Sequence, residues 1–145
     1  EEILTQETNL YTYIFCAHGT GTTYRGISKS LQAHQELNVV NVLKFEAFAN
    51  EPQTSILNNY HFGGYAKHKL ELLEFKTWFE ENYQIELDYV YTAKLFFAAF
   101  DLMKQEKLDK RKSILIIHCG GLQGNKGYEE RYNLNPKRQV NDAQG

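Results

Sequence analysis

Two glycine-rich stretches carry the residues best suited to chemistry. The first, Gly19-Thr20-Gly21-Thr22-Thr23, follows the apolar, β-rich run Tyr11 to Cys16 and precedes a helical pattern that starts at about Thr23. A strand that feeds a glycine loop and then a helix N-terminus makes an anion site. Glycine lets backbone N–H groups close in on a phosphate, threonine hydroxyls add donors, and the helix dipole favours negative charge. GTGTTYRG lacks the Gly-Lys-Ser/Thr ending of a Walker A loop, and position 24 is Tyr where a dinucleotide fingerprint needs its third glycine. This loop alone does not name the phosphate it holds. The second stretch, Cys119-Gly120-Gly121-Leu122-Gln123-Gly124, follows SILIIH, Ser113 to His118, the clearest buried-strand pattern of the chain. Between them, aromatic residues surround Gly63-Gly64 in Tyr60 to Tyr65, which marks a turn or a close backbone approach.

The elements that must position these loops follow from hydrophobic periodicity. Residues 1–8 read as the tail of a helix without an N-cap, as if the chain were the C-terminal part of something longer. Tyr11–Cys16 is a first strand, and the helix after it turns Tyr24, Ile27 and Leu31 inward. Asn38 to Leu43 is a second strand, joined to the first in a right-handed βαβ unit and hence parallel to it. Lys44 to Asn59 reads as a loop. Lys69 to Tyr83 is a helix with the stripe Leu72, Phe75 and Phe79, widened by Leu73 and Trp78. After an extended link, Ile85–Val90, a helix runs from Tyr91 or Thr92 to about Lys107 and buries Leu95, Ala99 and Leu102. Tyr128–Tyr132 makes a helical turn. Strands alternating with helices predict an α/β fold of three layers around a mostly parallel sheet. Ligands collect at the carboxyl ends of such strands, so both glycine loops can line one crevice.

The 145 residues suffice for one domain, with 42% hydrophobic and 23% charged residues and a net charge of −2. The near-neutral balance and the absence of a basic block argue against a nucleic-acid partner and an electrostatic membrane anchor. No apolar run is long enough to span a bilayer. The acidic start EEILTQETN is not a signal peptide, and two cysteines, Cys16 and Cys119, suit a reduced, cytoplasmic protein. Short Cys/His ligand spacings are absent, which argues against a metal site.

AHGTGTT, FGGYAK, VYTAK and IHCGGLQG occur in this order. Together they resemble the second half of the pyridoxal-phosphate enzymes that include 1-aminocyclopropane-1-carboxylate deaminase and D-cysteine desulfhydrase, a family with the tryptophan synthase β-like fold (fold type II). The resemblance covers roughly Tyr11 to Leu134. It implies that residues 1–134 form part of the large pyridoxal 5'-phosphate-binding domain and that 135–145 are a polar tail. It assigns the cofactor phosphate to Gly19, Thr20, Gly21, Thr22 and Thr23. It places Tyr65 and Tyr91 at the active site, with Tyr91 implicated in proton handling, and sets Thr92 and Cys119 near the pyridine nitrogen. It implies a small amino-acid substrate and a homodimer at full length. Cyclopropane-opening members carry Glu after the tyrosine and Leu after the histidine of HxGG. Thr92 and Cys119 stand here instead, which favours elimination of thiolate from D-cysteine over ring opening. His118, the HxGG histidine, is expected to give structural support, and Lys94 of VYTAK to have a structural or charge role.

The family's cofactor-bearing lysine lies in a GGNKxRK-like motif, and this sequence contains none. Gly124-Asn125-Lys126 spells GNK but sits where the resemblance gives no catalytic role. Two other readings stand beside the enzyme: a non-catalytic phosphate-binding module, and generic nucleotide binding, which leaves VYTAK and HCGGLQG unexplained. The chain by itself is therefore expected not to turn over amino acids. Borohydride reduction with pyridoxal phosphate should label no single lysine, and specific labelling of one lysine together with turnover of D-cysteine would refute this.

Overall fold

The computed structural model describes residues 10–18, 23–42, 51–64, 66–118 and 122–134. Within them the strands are β1 (Tyr13–His18), β2 (Glu36–Asn41), β3 (Thr54–Leu57) and β4 (Ile114–Ile116). The helices are α1 (Thr23–Ser30), α2 (Leu70–Tyr83), α3 (Thr92–Lys104) and α4 (Asn125–Arg131), the last preceded by a 3-10 turn at Leu122–Gly124. The sheet order is β3-β2-β1-β4, and every pairing is parallel.

Alternation along the strands divides the core into two layers. Ile14 and Cys16 of β1, with Leu37 and Val39 of β2, face α1 and meet Tyr24 and Ile27; Leu115, Ile117 and Ile56 border this cluster. The opposite face presents Phe15 and Val40 to α2 and α3, whose Leu72, Phe79, Leu95, Ala98, Ala99 and Leu102 fill the larger core. Phe15, Leu72 and Leu95 are fully buried. The expected three-layer arrangement, helix on sheet on helices, is observed. Ring contacts lock α2 to α3, with Phe79–Phe96 at 4.9 Å and Phe75–Phe97 at 5.4 Å between centroids.

Several expectations are corrected. β1 and β2 lie two residues later and two residues earlier, respectively, than their apolar runs suggested. Their ladder takes in the polar ends, pairing Tyr13 with Glu36 and His18 with Asn41. The stretch read as a loop contains β3. Gln53, at φ 59°, reverses the chain, and its amide donates to the carbonyls of Gln32 and Gln35 at 2.7 Å, which seats TSIL on the β2 edge. Four residues are too few for a strand pattern to stand out from a loop. β4 is half-buried, because among the described residues it has a partner only on the β1 side.

Trp78 is 46% exposed and makes edge contacts with Tyr83 and Phe100 at the rim of the core. The buried stripe of α2 passes instead through Lys76, one turn after Leu72. Its ammonium pairs with Glu80 at 2.9 Å and lies 4.3 Å from the centre of the Tyr89 ring. α3 ends at Lys104, three residues earlier than expected, and α4 starts three residues before the predicted turn. Residues 1–8 and the tail 135–145 lie outside the described residues.

Leu95 belongs to the core cluster that includes Phe15 of β1 and Leu72 of α2, and it has no solvent access. Leu95→Ala is expected to cost about 2–5 kcal/mol in urea unfolding, against about 0.5 kcal/mol or less for Leu10→Ala at an exposed position.

Candidate active site

Parallel pairing of β1 with the flanking strand β4 decides where the glycine loops start. Phe15 stands opposite Ile116, and the Ile117 N–H donates to the Phe15 carbonyl at 3.0 Å. Both loops therefore leave the same carboxyl edge from neighbouring strands. The chain turns polar there. His18 ends β1 opposite Asn41, whose amide donates to the Asn58 side chain at 2.8 Å just beyond β3.

Gly19, Thr20, Gly21 and Thr22 lie outside the described residues, as do Cys119 to Gly121. Thr23 is the first residue of α1. The first turn of α1 has no carboxylate. Buried Tyr24 meets the His18 ring edge-on at 5.3 Å, and the Arg25 guanidinium lies near the Tyr24 ring. Burial, and then the charge of Arg25, lower the His18 pKa. A helix start without acids and with Arg25 in its first turn suits an anion.

Tyr91 and Thr92 are held by Asp88, a residue that sequence reading passed over. One Asp88 oxygen accepts from the N–H groups of Val90 at 2.9 Å and Tyr91 at 2.6 Å. The other accepts from the Thr92 N–H at 3.1 Å and its hydroxyl at 2.6 Å, and that hydroxyl accepts from the Asp88 N–H at 2.7 Å. Asp88 and Thr92 are buried. This reciprocal set satisfies donors that a helix start leaves open. An aspartate just ahead of an apolar-periodic run is the available sequence signal.

A cavity of about 240 Å³ opens beside this cap. Asp88, Tyr89, Val90 and Tyr91 line one side, and Gln123, Gly124, Asn125 and Tyr128 the other. Ligand pockets typically span about 300–1,000 Å³, so this one has room only for a small molecule. Tyr91 is thus brought next to the segment that follows the second glycine loop. Asn125 ties the two walls: its amide donates to the Leu87 carbonyl at 3.0 Å, and its oxygen accepts from the Tyr89 N–H at 3.3 Å. Tyr89 stacks on Tyr128 with centroids 4.6 Å apart and donates to Glu129 at 2.7 Å. Burial and that hydrogen bond raise the Tyr89 pKa strongly; burial, with Tyr132 adding, pushes Tyr128 up to about 12. The His118 Nε2 donates to the Glu86 carbonyl at 2.9 Å, a supporting contact of the kind expected. Lys126 is exposed on α4.

Tyr65 lies outside the described residues, but the chain around it is described. Gly63 and Gly64 have φ of 102° and 119°, and Phe62 and Ala66 are also left-handed at 55°. A Cβ on Gly63 would stand 3.2 Å from the Lys67 Cβ, so a side chain there would crowd Lys67 and strain a φ that favours glycine. Lys94, fully buried, donates to the carbonyls of His61 at 2.7 Å and Gly64 at 2.8 Å, in line with its expected structural role. The Tyr132 hydroxyl donates to the Ala66 carbonyl at 3.0 Å, and His68 Nδ1 lies 2.6 Å from the Tyr128 hydroxyl.

The fold and this edge define a class: a three-layer α/β domain whose neighbouring parallel strands β1 and β4 end at one sheet edge ahead of the two glycine-rich stretches, with a capped helix start at Tyr91. No family model matches the chain. A protein of Pyrococcus furiosus (strain ATCC 43587 / DSM 3638 / JCM 8422 / Vc1) named "Putative 1-aminocyclopropane-1-carboxylate deaminase" is 36% identical over 75 residues. That match takes in 52% of this chain and 22% of the relative. The crystal structure of an ACC deaminase homologue superposes with a TM-score of 0.74 at 26% identity, over 90% of this chain and 46% of that one. The chain is thus related to proteins named for this deaminase, as its motifs implied, and it spans less than half of their length. Among the described residues, no helix is long and apolar enough to cross a membrane.

Burial lowers Lys94 to about 8 from its ordinary 10.5, against the pull of the Asp88 carboxylate. Between those values the unfolded chain holds a proton that the folded one has lost, so stability rises with pH across that window. Burial and carboxylate partners raise Tyr60 and Tyr89, so above about 10 the unfolded chain loses tyrosine protons first and stability falls. Urea unfolding from pH 8 to 10 should show a gain of up to about 3 kcal/mol, and Lys94→Met should flatten it.

Proposed function

We propose that this chain is part of a pyridoxal-phosphate-dependent enzyme that removes the amino group of a small amino acid, with D-cysteine as the preferred substrate. The observation that carries this reading is the β1–β4 pairing, which starts both glycine loops from one sheet edge. The cavity beside Tyr91 and the named relatives support it. The described residues fit the cofactor in kind: the helix start after the first loop bears no carboxylate, and the cavity suits one small substrate.

Bound pyridoxal phosphate would supply an electron sink for negative charge at the substrate Cα. Backbone N–H groups and hydroxyls of Gly19 to Thr23 would hold its phosphate. Tyr91, fixed through its own N–H by Asp88, would orient the substrate or hold a proton at its hydroxyl, with Tyr65 in the same service. Cys119 and Thr92 would stand near the ring nitrogen, the Thr92 hydroxyl being already engaged with Asp88 as both donor and acceptor. The preference for D-cysteine rests on the absence of a carboxylate at position 92. Asp88, the carboxylate nearest to position 92 in sequence, already accepts four hydrogen bonds from the cap. A hydroxyl or thiol at the ring nitrogen gives a weaker sink, which suffices when a good leaving group such as thiolate departs. The net reaction takes D-cysteine and water to pyruvate, ammonia and hydrogen sulfide. The resemblance places the lysine that would bear the cofactor in a GGNKxRK-like motif, which this sequence does not contain.

A second reading, ring opening of 1-aminocyclopropane-1-carboxylate, is favoured by the names of the relatives. Assays of the full-length protein with pyridoxal phosphate separate the two. D-cysteine is expected to show at least a tenfold higher kcat/KM, and Thr92→Glu should narrow that ratio. A reversed ratio would establish the deaminase reading. Failure of both substrates, with no cofactor absorbance, would leave a binding module.

A further inference from the structure

Lys94 is a charged residue placed where the fold has no solvent to offer it. It sits in the first turn of α3, three residues after Tyr91, between buried Ala93 and Leu95. Burying an ammonium is costly unless its donors are satisfied. Here they reach the carbonyls of His61 and Gly64. Each of those carbonyls also accepts a backbone N–H of its own turn, from Gly64 and from Lys67, both at 3.1 Å. Lys94 is therefore a second donor to the two carbonyls that accept the backbone hydrogen bonds of the Gly63–Gly64 turn. Left-handed φ at non-glycine positions persists only where the surroundings over-determine it. Phe62 and Ala66, flanking this turn, are two such positions.

The turn in turn holds α4. The hydroxyls of Tyr132 and Tyr128 lie 3.0 and 3.2 Å from the Ala66 carbonyl, and His68 closes on Tyr128. A closed circuit results. Lys94 ties α3 to the turn, Ala66 and His68 tie the turn to α4, and Asn125 ties α4 back to the Leu87–Tyr89 segment in front of α3. The cavity that holds Tyr91 on its lining shares Tyr89, Asn125 and Tyr128 with this circuit.

We propose that Lys94 is a positioning residue: its ammonium locks the His61–His68 turn, and through that turn fixes the Tyr128 wall of the cavity against the Tyr91 wall. The proposal rests on the functional reading only in calling the cavity a substrate site; the clamp is a separate claim. Lys94 touches no reacting atom and acts through the carbonyls it holds. The charged and titratable groups around it are Asp88, which caps the same helix, and His68, whose pKa is lowered by burial and by the charge of Lys94.

Hydrogen exchange read by mass spectrometry on the full-length protein tests the clamp without substrate or cofactor. In Lys94→Met, exchange is expected to quicken at least tenfold in peptides covering 61–68 and to rise in 122–134, with β1 and β2 changed less than twofold. A stability-matched Leu102→Ala, on the same helix but outside the circuit, should leave 61–68 slow. Unchanged exchange at 61–68 in folded Lys94→Met, or equal loosening in Leu102→Ala, overturns the proposal. If Lys94→Met does not fold, nitrogen-15 NMR of the wild-type side chains decides. One lysine ammonium with slowed proton exchange and coupling to the His61 and Gly64 carbonyls supports the clamp, and its absence overturns it. With cofactor and substrate present, Lys94→Met should lower kcat at least tenfold. Unchanged kcat with a loosened turn refutes the link to the cavity. A wild-type protein that turns over neither amino acid refutes the functional reading and leaves the exchange result standing.

Discussion

The structure depends on β1 being hydrogen-bonded on both sides by parallel strands. A parallel strand with neighbours on both edges keeps all of its carboxyl-end connections on one side of the sheet. Phe15 and Ile14, fully buried on opposite faces of β1, fix the strand against α3 and α1 at once. A slip of one residue would exchange those faces, so the register that buries them also sets where the two loops begin. Site placement is thus a by-product of core packing.

Around that edge, the start of α3 concentrates charge that the interior tolerates only because it is satisfied. Asp88 spends its carboxylate on four donors of the helix start, and Lys94 spends its ammonium on two carbonyls of a glycine turn. A buried charge missing one partner is strongly destabilising, so these residues specify one geometry as much as they stabilise it. The aromatic set Tyr89, Tyr128 and Tyr132 extends the same logic. Flat rings stack closely, while their hydroxyls reach Glu129 and Ala66.

Much of the fold was legible because long elements repeat their signals. The α2 stripe Leu72, Phe75, Phe79 and the α3 face Leu95, Ala99, Leu102 are read directly from helical spacing. The strands were found but displaced, since polar end residues such as Glu36 and His18 join the ladder through backbone bonds that carry no side-chain signature. β3 was missed because four residues on an edge show no period, and Lys76 because a buried lysine contradicts the rule that makes stripes visible. Of the site, Tyr91 and Thr92 were visible as motif residues. Asn125, Tyr128 and His68 were not, because their partners lie far away in the chain; Asp88, whose partners Val90, Tyr91 and Thr92 are close in sequence, was passed over despite its local capping signal.

The sequence by itself determined the order of the helices, the glycine-rich stretches and the strands other than β3, and the family resemblance, because these reside in local spacing and residue type. Only the tertiary structure decided that β1 lies beside β4, that Lys94 grips a turn some thirty positions away, and that Tyr91 and Tyr128 share a cavity. Those are long-range pairings. They arise when burial of apolar faces brings distant segments together and forces each enclosed polar group to find the partner that the fold leaves within reach.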